Sequence, residues 1–112
     1  MKLKQIVVPF AIAALAGLST QVIAADADAA QALFKKNDCT KCHSVDKSKK
    51  GPALKKIAAN YKGKADGQDK VIKAMTTGPK VKLDDGSQED HKVIDTKDAA
   101  ALKNLADWIL AQ

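Results

Sequence analysis

Cys39-Thr40-Lys41-Cys42-His43 places two thiols and one imidazole within five residues, and groups in that order can hold a metalloporphyrin. C-x-x-C-H is the attachment signature of a c-type haem. The thiols would add across the two haem vinyl groups, whose separation suits one helical turn, and His43 would then lie beneath the iron as its proximal ligand. Two other chemistries use the same residue types. A thioredoxin-like dithiol belongs at a strand-to-helix junction in a βαβ unit, and no convincing strand run is present to supply one. A structural zinc site takes four ligands. Cys39, Cys42, His43 and His91 meet that by count but not by pattern. The pentapeptide therefore points to one haem c bound through Cys39 and Cys42.

The N-terminus says where such chemistry would take place. Lys2 and Lys4 precede an apolar run over residues 6–18, and the small-residue stretch Val22-Ile23-Ala24-Ala25 follows. That is the order of a secretory signal peptide. Pro9 and Gly17 interrupt the run, which is short for a membrane span of about 20 residues. Cleavage after Ala24 divides the chain into a signal peptide, residues 1–24, and one domain, residues 25–112. The expectation is export to the periplasm, with no stable membrane insertion of the mature protein.

A domain of that size buries too little surface to be comfortable alone. The whole chain has one Trp, one Tyr and two Phe, and Phe10 lies in the signal segment. Large side chains cannot fill the centre, whereas a macrocycle can. The formal charge of +6 falls to +4 without Lys2 and Lys4, and every basic residue is Lys. Absence of Arg argues against bidentate phosphate or guanine recognition, hence against nucleic acid. A lysine-rich rim would steer encounters with redox proteins that present acidic docking surfaces.

The elements that must position these groups are helical. Residues 26–36 carry Ala27, Ala30, Leu33 and Phe34 at helical spacing, and Asn37 and Asp38 loosen the chain before the attachment turn. A Lys-rich loop ends in Gly51-Pro52. Residues 53–61 read as a second helix with Pro52 at its first turn, and residues 69–76 as a third, with Val71, Ile72 and Met75 on one side. Residues 77–94 show no periodicity and read as an irregular loop of functional length. A final helix is expected from Asp95, with Asp98 adding charge at its start and Leu102, Leu105, Ala106, Ile109 and Leu110 as its buried stripe.

With these residues in order, the chain resembles class I cytochromes c, especially the small bacterial c551/c8-like and c5-like group. The likeness rests on Leu33-Phe34 before the first Cys, on Gly51-Pro52 after His43, and on the terminal Leu105-Ala106-Asp107-Trp108-Ile109-Leu110. It implies an all-α cytochrome c fold in which first and last helices cross, Ala30 and Phe34 meeting the face of Leu105 and Ile109. It also implies that the Pro52 carbonyl accepts a hydrogen bond from His43 Nδ1–H, which would fix the ring and raise its basicity.

One departure matters. Family members place a Met in the loop before the last helix, and this chain has none there. Met75, 32 residues after His43, is early and suits core packing. His91, 48 residues after His43 and 17 before Trp108, falls near the missing Met. The expectation is bis-histidine ligation by His43 and His91, with Met75, a lysine such as Lys82 or Lys92, or an open position as alternatives. Imidazole in place of thioether should lower the reduction potential. The function implied is a monomeric, periplasmic one-electron carrier. Its rivals are a haem protein that binds NO or CO when a labile His91 leaves, and a haem subunit of an oxidoreductase complex. No independent catalytic constellation supports an enzyme, since Asp84, Asp85, Glu89 and Asp90 read as solvated loop charge.

Overall fold

The computed structural model of the chain describes residues 16–17 and 24–112. The expected signal peptide lies outside the described residues except at positions 16, 17 and 24. In chain order come α1 (Ala27–Lys36), a 3-10 turn (Cys39–Lys41), α2 (Leu54–Tyr61), α3 (Gly67–Thr77), β1 (Lys80–Lys82), β2 (Gln88–Asp90) and α4 (Ala99–Leu110).

α1 starts where the Asp26 carboxylate accepts from the Ala29 N–H at 3.0 Å, and Lys35 and Lys36 sit in its last turn, where the helix dipole favours positive charge. It ends at buried Asn37, whose side-chain amide donates to the Leu33 carbonyl at 3.0 Å. Asp38 then takes the left-handed conformation, φ 57°, and redirects the chain into the turn that carries Cys39. The attachment turn is thus aimed by a helix end and a single backbone reversal.

α4 is the hub, packing on α1, α2 and α3. Its buried residues Leu102, Leu105, Ala106 and Ile109 form one cluster with Ala30 and Phe34 of α1, Leu54 of α2, Val71 and Met75 of α3, and Ile94. Ala30 and Ala106 have almost no exposed surface, so small side chains let the two helices approach closely. Phe34 and Trp108 close the contact edge to face, with ring centres 5.6 Å apart. At the other end, Asn104 accepts from the Asp26 N–H at 2.7 Å and donates to the Asp26 carbonyl at 2.8 Å.

Four expectations need correction. α4 begins at Ala99, not at Asp95: Asp98 caps it, accepting from Ala100 and Ala101 N–H at 3.0 and 3.2 Å. Asp95 is held elsewhere, its N–H donating to Asn37 Oδ1 at 3.0 Å. α2 begins at Leu54, with Pro52 before the cap rather than in the first turn. The otherwise free N–H groups of Leu54 and Lys55 donate to the Ser44 and Val45 carbonyls, which anchors the helix start to the loop after His43. α3 starts at Gly67, two residues early: the Asp66 carbonyl accepts from Lys70 N–H at 3.0 Å, and Gly67 packs against Tyr61, where a Cβ would lie 3.0 Å from the Tyr61 Cβ.

The fourth correction is the segment read as irregular. It contains an antiparallel hairpin pairing Lys80 with Asp90, Val81 with Glu89 and Lys82 with Gln88. Gly86, at φ +84°, permits the turn between the strands. Three-residue strands are too short to show alternation in sequence. Apart from this two-stranded hairpin, the described architecture is helical.

Two substitutions test the reassigned cap. Asp98→Ala should cost about 1 kcal/mol, measured by denaturant unfolding of the holoprotein, while Asp95→Ala should cost well under half as much. Leu105→Ala, at 0% exposure in the wild type, should cost about 2–5 kcal/mol.

Candidate functional site

The attachment turn, the loop after His43, α3 and the hairpin enclose a cavity of about 690 Å³. That is within the range of about 300–1,000 Å³ common for cofactor sites. Cys39, Cys42, His43 and Pro52 line one wall, His91 and the hairpin residues Val81 and Leu83 the other, with Met75 and Ile94 between them.

The first wall is rigid because its backbone is bonded to itself. His43 N–H donates to the Cys39 carbonyl at 2.9 Å, Gly51 N–H to the Cys42 carbonyl at 2.8 Å, and Lys49 Nζ to the Thr40 carbonyl at 2.5 Å. The loop thereby folds back against the turn that presents the cysteines. His43 Nδ1 stands 2.7 Å from the Pro52 carbonyl oxygen. A carbonyl can only accept, so Nδ1 carries the proton and the lone pair lies on Nε2. Gly51 makes room for the ring: a Cβ there would lie 2.6 Å from His43 Cε1. In sequence, Gly51 is distinguished only by the Pro52 that follows it. Its steric role had no local signal, because His43 is eight positions away.

Burial lowers the His43 pKa below the ordinary 6.5, with the Pro52 hydrogen bond opposing it. The ring is therefore neutral at pH 7. Burial also raises the Cys39 thiol pKa. A redox dithiol needs the opposite shift, so Cys39 has the wrong electrostatics for thioredoxin-like exchange. Among the described residues, no group of three or more His, Cys, Asp or Glu side chains is placed to hold a metal ion by itself.

The second wall is positioned by the end of α3. Gly78, at φ +60°, terminates that helix in the left-handed conformation. The Pro79 carbonyl then accepts from His91 N–H at 2.8 Å, and the Met75 carbonyl accepts from Ile94 N–H at 2.8 Å. His91 thus continues the hairpin register by one residue. Its Nδ1 lies 2.9 Å from the Lys92 carbonyl, which again assigns the proton to Nδ1 and frees Nε2. Gly78-Pro79 was legible only as a loop marker, and its part in placing His91 depends on the hairpin.

The two imidazoles have ring centres 6.2 Å apart, with planes inclined at 44°. Two metal–imidazole bonds of about 2.0–2.1 Å on opposite faces of one ion separate the ring centres by roughly 6.4 Å, counting the distance from nitrogen to ring centre. The observed spacing of 6.2 Å could accommodate one metal ion between the two rings. Met75, Lys82 and Lys92 also line the cavity. Lys92 is engaged, its Nζ donating to Asp38 Oδ2 at 3.2 Å, and that hydrogen bond, with the charge of Lys41, holds the Asp38 carboxyl below the usual carboxylate range. Lys50 pairs with Glu89 at 2.8 Å, which raises the Lys50 pKa. The sequence reading identified neither pair.

Comparison with known proteins follows the same line. The family model described as Cytochrome c matches residues 27–112. Cytochrome c-551 of Allochromatium vinosum is 34% identical over 92 residues, covering 82% of this chain and 95% of that protein. Among solved structures, the class 1 cytochrome MtoD from Sideroxydans lithotrophicus ES-1 is 52% identical, with 79% of this chain and 97% of that one covered and a TM-score of 0.76. Wild-type Nitrosomonas europaea cytochrome c552 is 36% identical, with 71% and 95% covered and a TM-score of 0.56.

The close approach at Gly51 gives a direct test. Gly51→Ala should displace the His43 ring and cost about 1–3 kcal/mol through overpacking. The expected readout is a lower unfolding midpoint together with a perturbed absorption spectrum of the haem-loaded protein.

Proposed function

The chain belongs to the cytochrome c family and carries one haem c covalently attached through Cys39 and Cys42, and we propose that it is a periplasmic, low-potential, one-electron carrier in which His43 and His91 would hold the iron. That it is a monohaem electron-transfer protein follows from the family. The finer reading rests on one observation: the two imidazoles line the same cavity with ring centres 6.2 Å apart. Each ring has its Nδ1 turned to a backbone carbonyl.

The haem supplies a one-electron couple between ferric and ferrous iron. The chain does the remainder. His43 Nε2 and His91 Nε2 offer lone pairs from the two walls, and hydrogen bonding at Nδ1 makes each a stronger donor and restrains its rotation. Imidazole is more basic than a thioether and favours the ferric state, so this pair sets a potential below that of His/Met relatives. Met75 of α3 and Val81 and Leu83 of the hairpin give the cavity part of its apolar lining, which limits solvent rearrangement when the charge changes.

The remaining parts of the proposal concern surroundings. Residues 1–24 act as the export signal, cleavage leaves residues 25–112, and the mature protein is a monomer. No helix among the described residues is long and apolar enough to cross a membrane. Partners are redox proteins with acidic docking surfaces. At the cavity, Asp38, Glu89 and Asp90 each pair with a lysine. Among the described residues, Lys56 and Lys82 at the mouth have no such partner. Encounters of this kind are brief and use small interfaces.

Spectra of oxidised and reduced holoprotein beside a His91→Ala variant test the ligand set. The parent should be six-coordinate and low-spin in both states, and the variant should lose that signature. A parent spectrum preserved in the variant would move the sixth ligand to Met75 or a lysine. A parent that turns high-spin on reduction before any ligand is added would favour the ligand-binding rival. Redox titration should place the parent below His/Met relatives, and His91→Met should raise its potential.

A further inference from the structure

The hairpin wall is anchored unequally. On its α3 side it has backbone bonds, from His91 to Pro79 and from Ile94 to Met75. Towards the wall that carries His43, no backbone hydrogen bond among the described residues links positions 80–92 with positions 38–52. What joins them there is charge: Lys50 with Glu89 at 2.8 Å, and Lys92 with Asp38 at 3.2 Å. Glu89 and Lys92 flank His91 in sequence, two positions before it and one after. Asp38 and Lys50 bracket the segment holding Cys39, Cys42 and His43. All four charged residues line the same cavity.

We infer that Lys50–Glu89 and Asp38–Lys92 form an ionic clasp that closes the His91 strand over the cavity, making these four positioning residues for the distal ligand. The inference rests on the reading of His91 as that ligand. Both pairs are about half exposed, with side-chain exposures of 40–56%, so each is weak alone and open to screening by salt. The device follows from that weakness. The α3 side stays fixed, the clasped side opens, and the residence of His91 on the iron shortens as ionic strength rises. Opening exposes the sixth position to a small neutral ligand while His43 and both cysteines stay in place.

Carbon monoxide reports the opening, because it binds ferrous iron only where His91 has left. With reduced holoprotein, the CO-binding rate should rise about two- to five-fold per pair lost. Raising salt from about 0.01 M to about 1 M shortens the screening length from about 30 Å to about 3 Å and should accelerate the parent by a comparable factor. Lys50→Glu and Glu89→Lys should each be faster than the parent at low salt and less sensitive to added salt, and the double exchange should restore the parent rate. Asp38→Asn, which tolerates the left-handed backbone at that position, should also be faster. A His91→Ala control separates the two claims. If it opens the iron to CO while salt and the charge reversals leave the parent rate unchanged, or the double exchange restores nothing, the clasp is wrong and the ligand stands. If it keeps the parent spectrum and rate, the ligand reading fails and the clasp falls with it. The salt titration needs no variant, so misfolding of a substituted chain cannot mask the result.

Discussion

The contact between α1 and α4 governs where every other group in this protein can stand. Ala30 and Ala106 bring the two backbones close, Leu105 and Ile109 fill the seam, and Phe34 with Trp108 closes its edge. Burying a side chain such as Leu105 is worth about 1.5–3 kcal/mol, and the seam collects several such contributions. Its positional consequence is as important as its energy. The last turn of α1 leads through Asn37 and the left-handed Asp38 directly to Cys39, so the helix pair sets the origin from which the attachment turn extends. Asn37 binds both sides of this corner, donating to Leu33 and accepting from Asp95 ahead of α4.

From that origin the two cavity walls are built by different physics. The His43 wall is local: the thiols, the imidazole and the carbonyl that orients it come from residues 39–52, folded together by backbone hydrogen bonds and by the empty space at Gly51. Such a wall tolerates little adjustment. The His91 wall is assembled from a helix end, a short hairpin and two solvent-exposed ion pairs. Backbone bonds fix its register, whereas screened charges set how firmly it closes. Low local stability suits an element that must move or exchange.

The same contrast bears on the potential. A protein tunes a bound haem through donor identity and hydrogen bonding around the donors. With His43 and His91 as the proposed donors, that tuning would fall to two main-chain carbonyls, Pro52 and Lys92, each within hydrogen-bond distance of an imidazole Nδ1. Main-chain acceptors hold this arrangement irrespective of side-chain identity, provided the backbone path is kept. Gly51 and Gly78 keep it, the first by leaving space beside His43 and the second by adopting a positive φ before Pro79.

By itself the sequence determined the attachment chemistry, because Cys39, Cys42 and His43 lie within one turn and their meaning needs no distant partner. It also determined the helices with a strong apolar repeat, α1 and α4 above all. Helix starts were less legible: Asp95 and Asp98 are equally plausible caps in sequence, and only the capture of the Asp95 N–H by Asn37, 58 positions away, decided between them. The hairpin escaped notice because three-residue strands are stabilised by pairing and not by an alternation that can be read along the chain. His91 could be singled out as the remaining histidine near the missing Met. Its distance from His43, its tautomer and the charges tying its strand down belong to the tertiary structure, because each depends on residues far apart in sequence meeting across a cavity. Chemistry confined to one turn is written in residue order, whereas chemistry shared between two walls is set by how the helices pack.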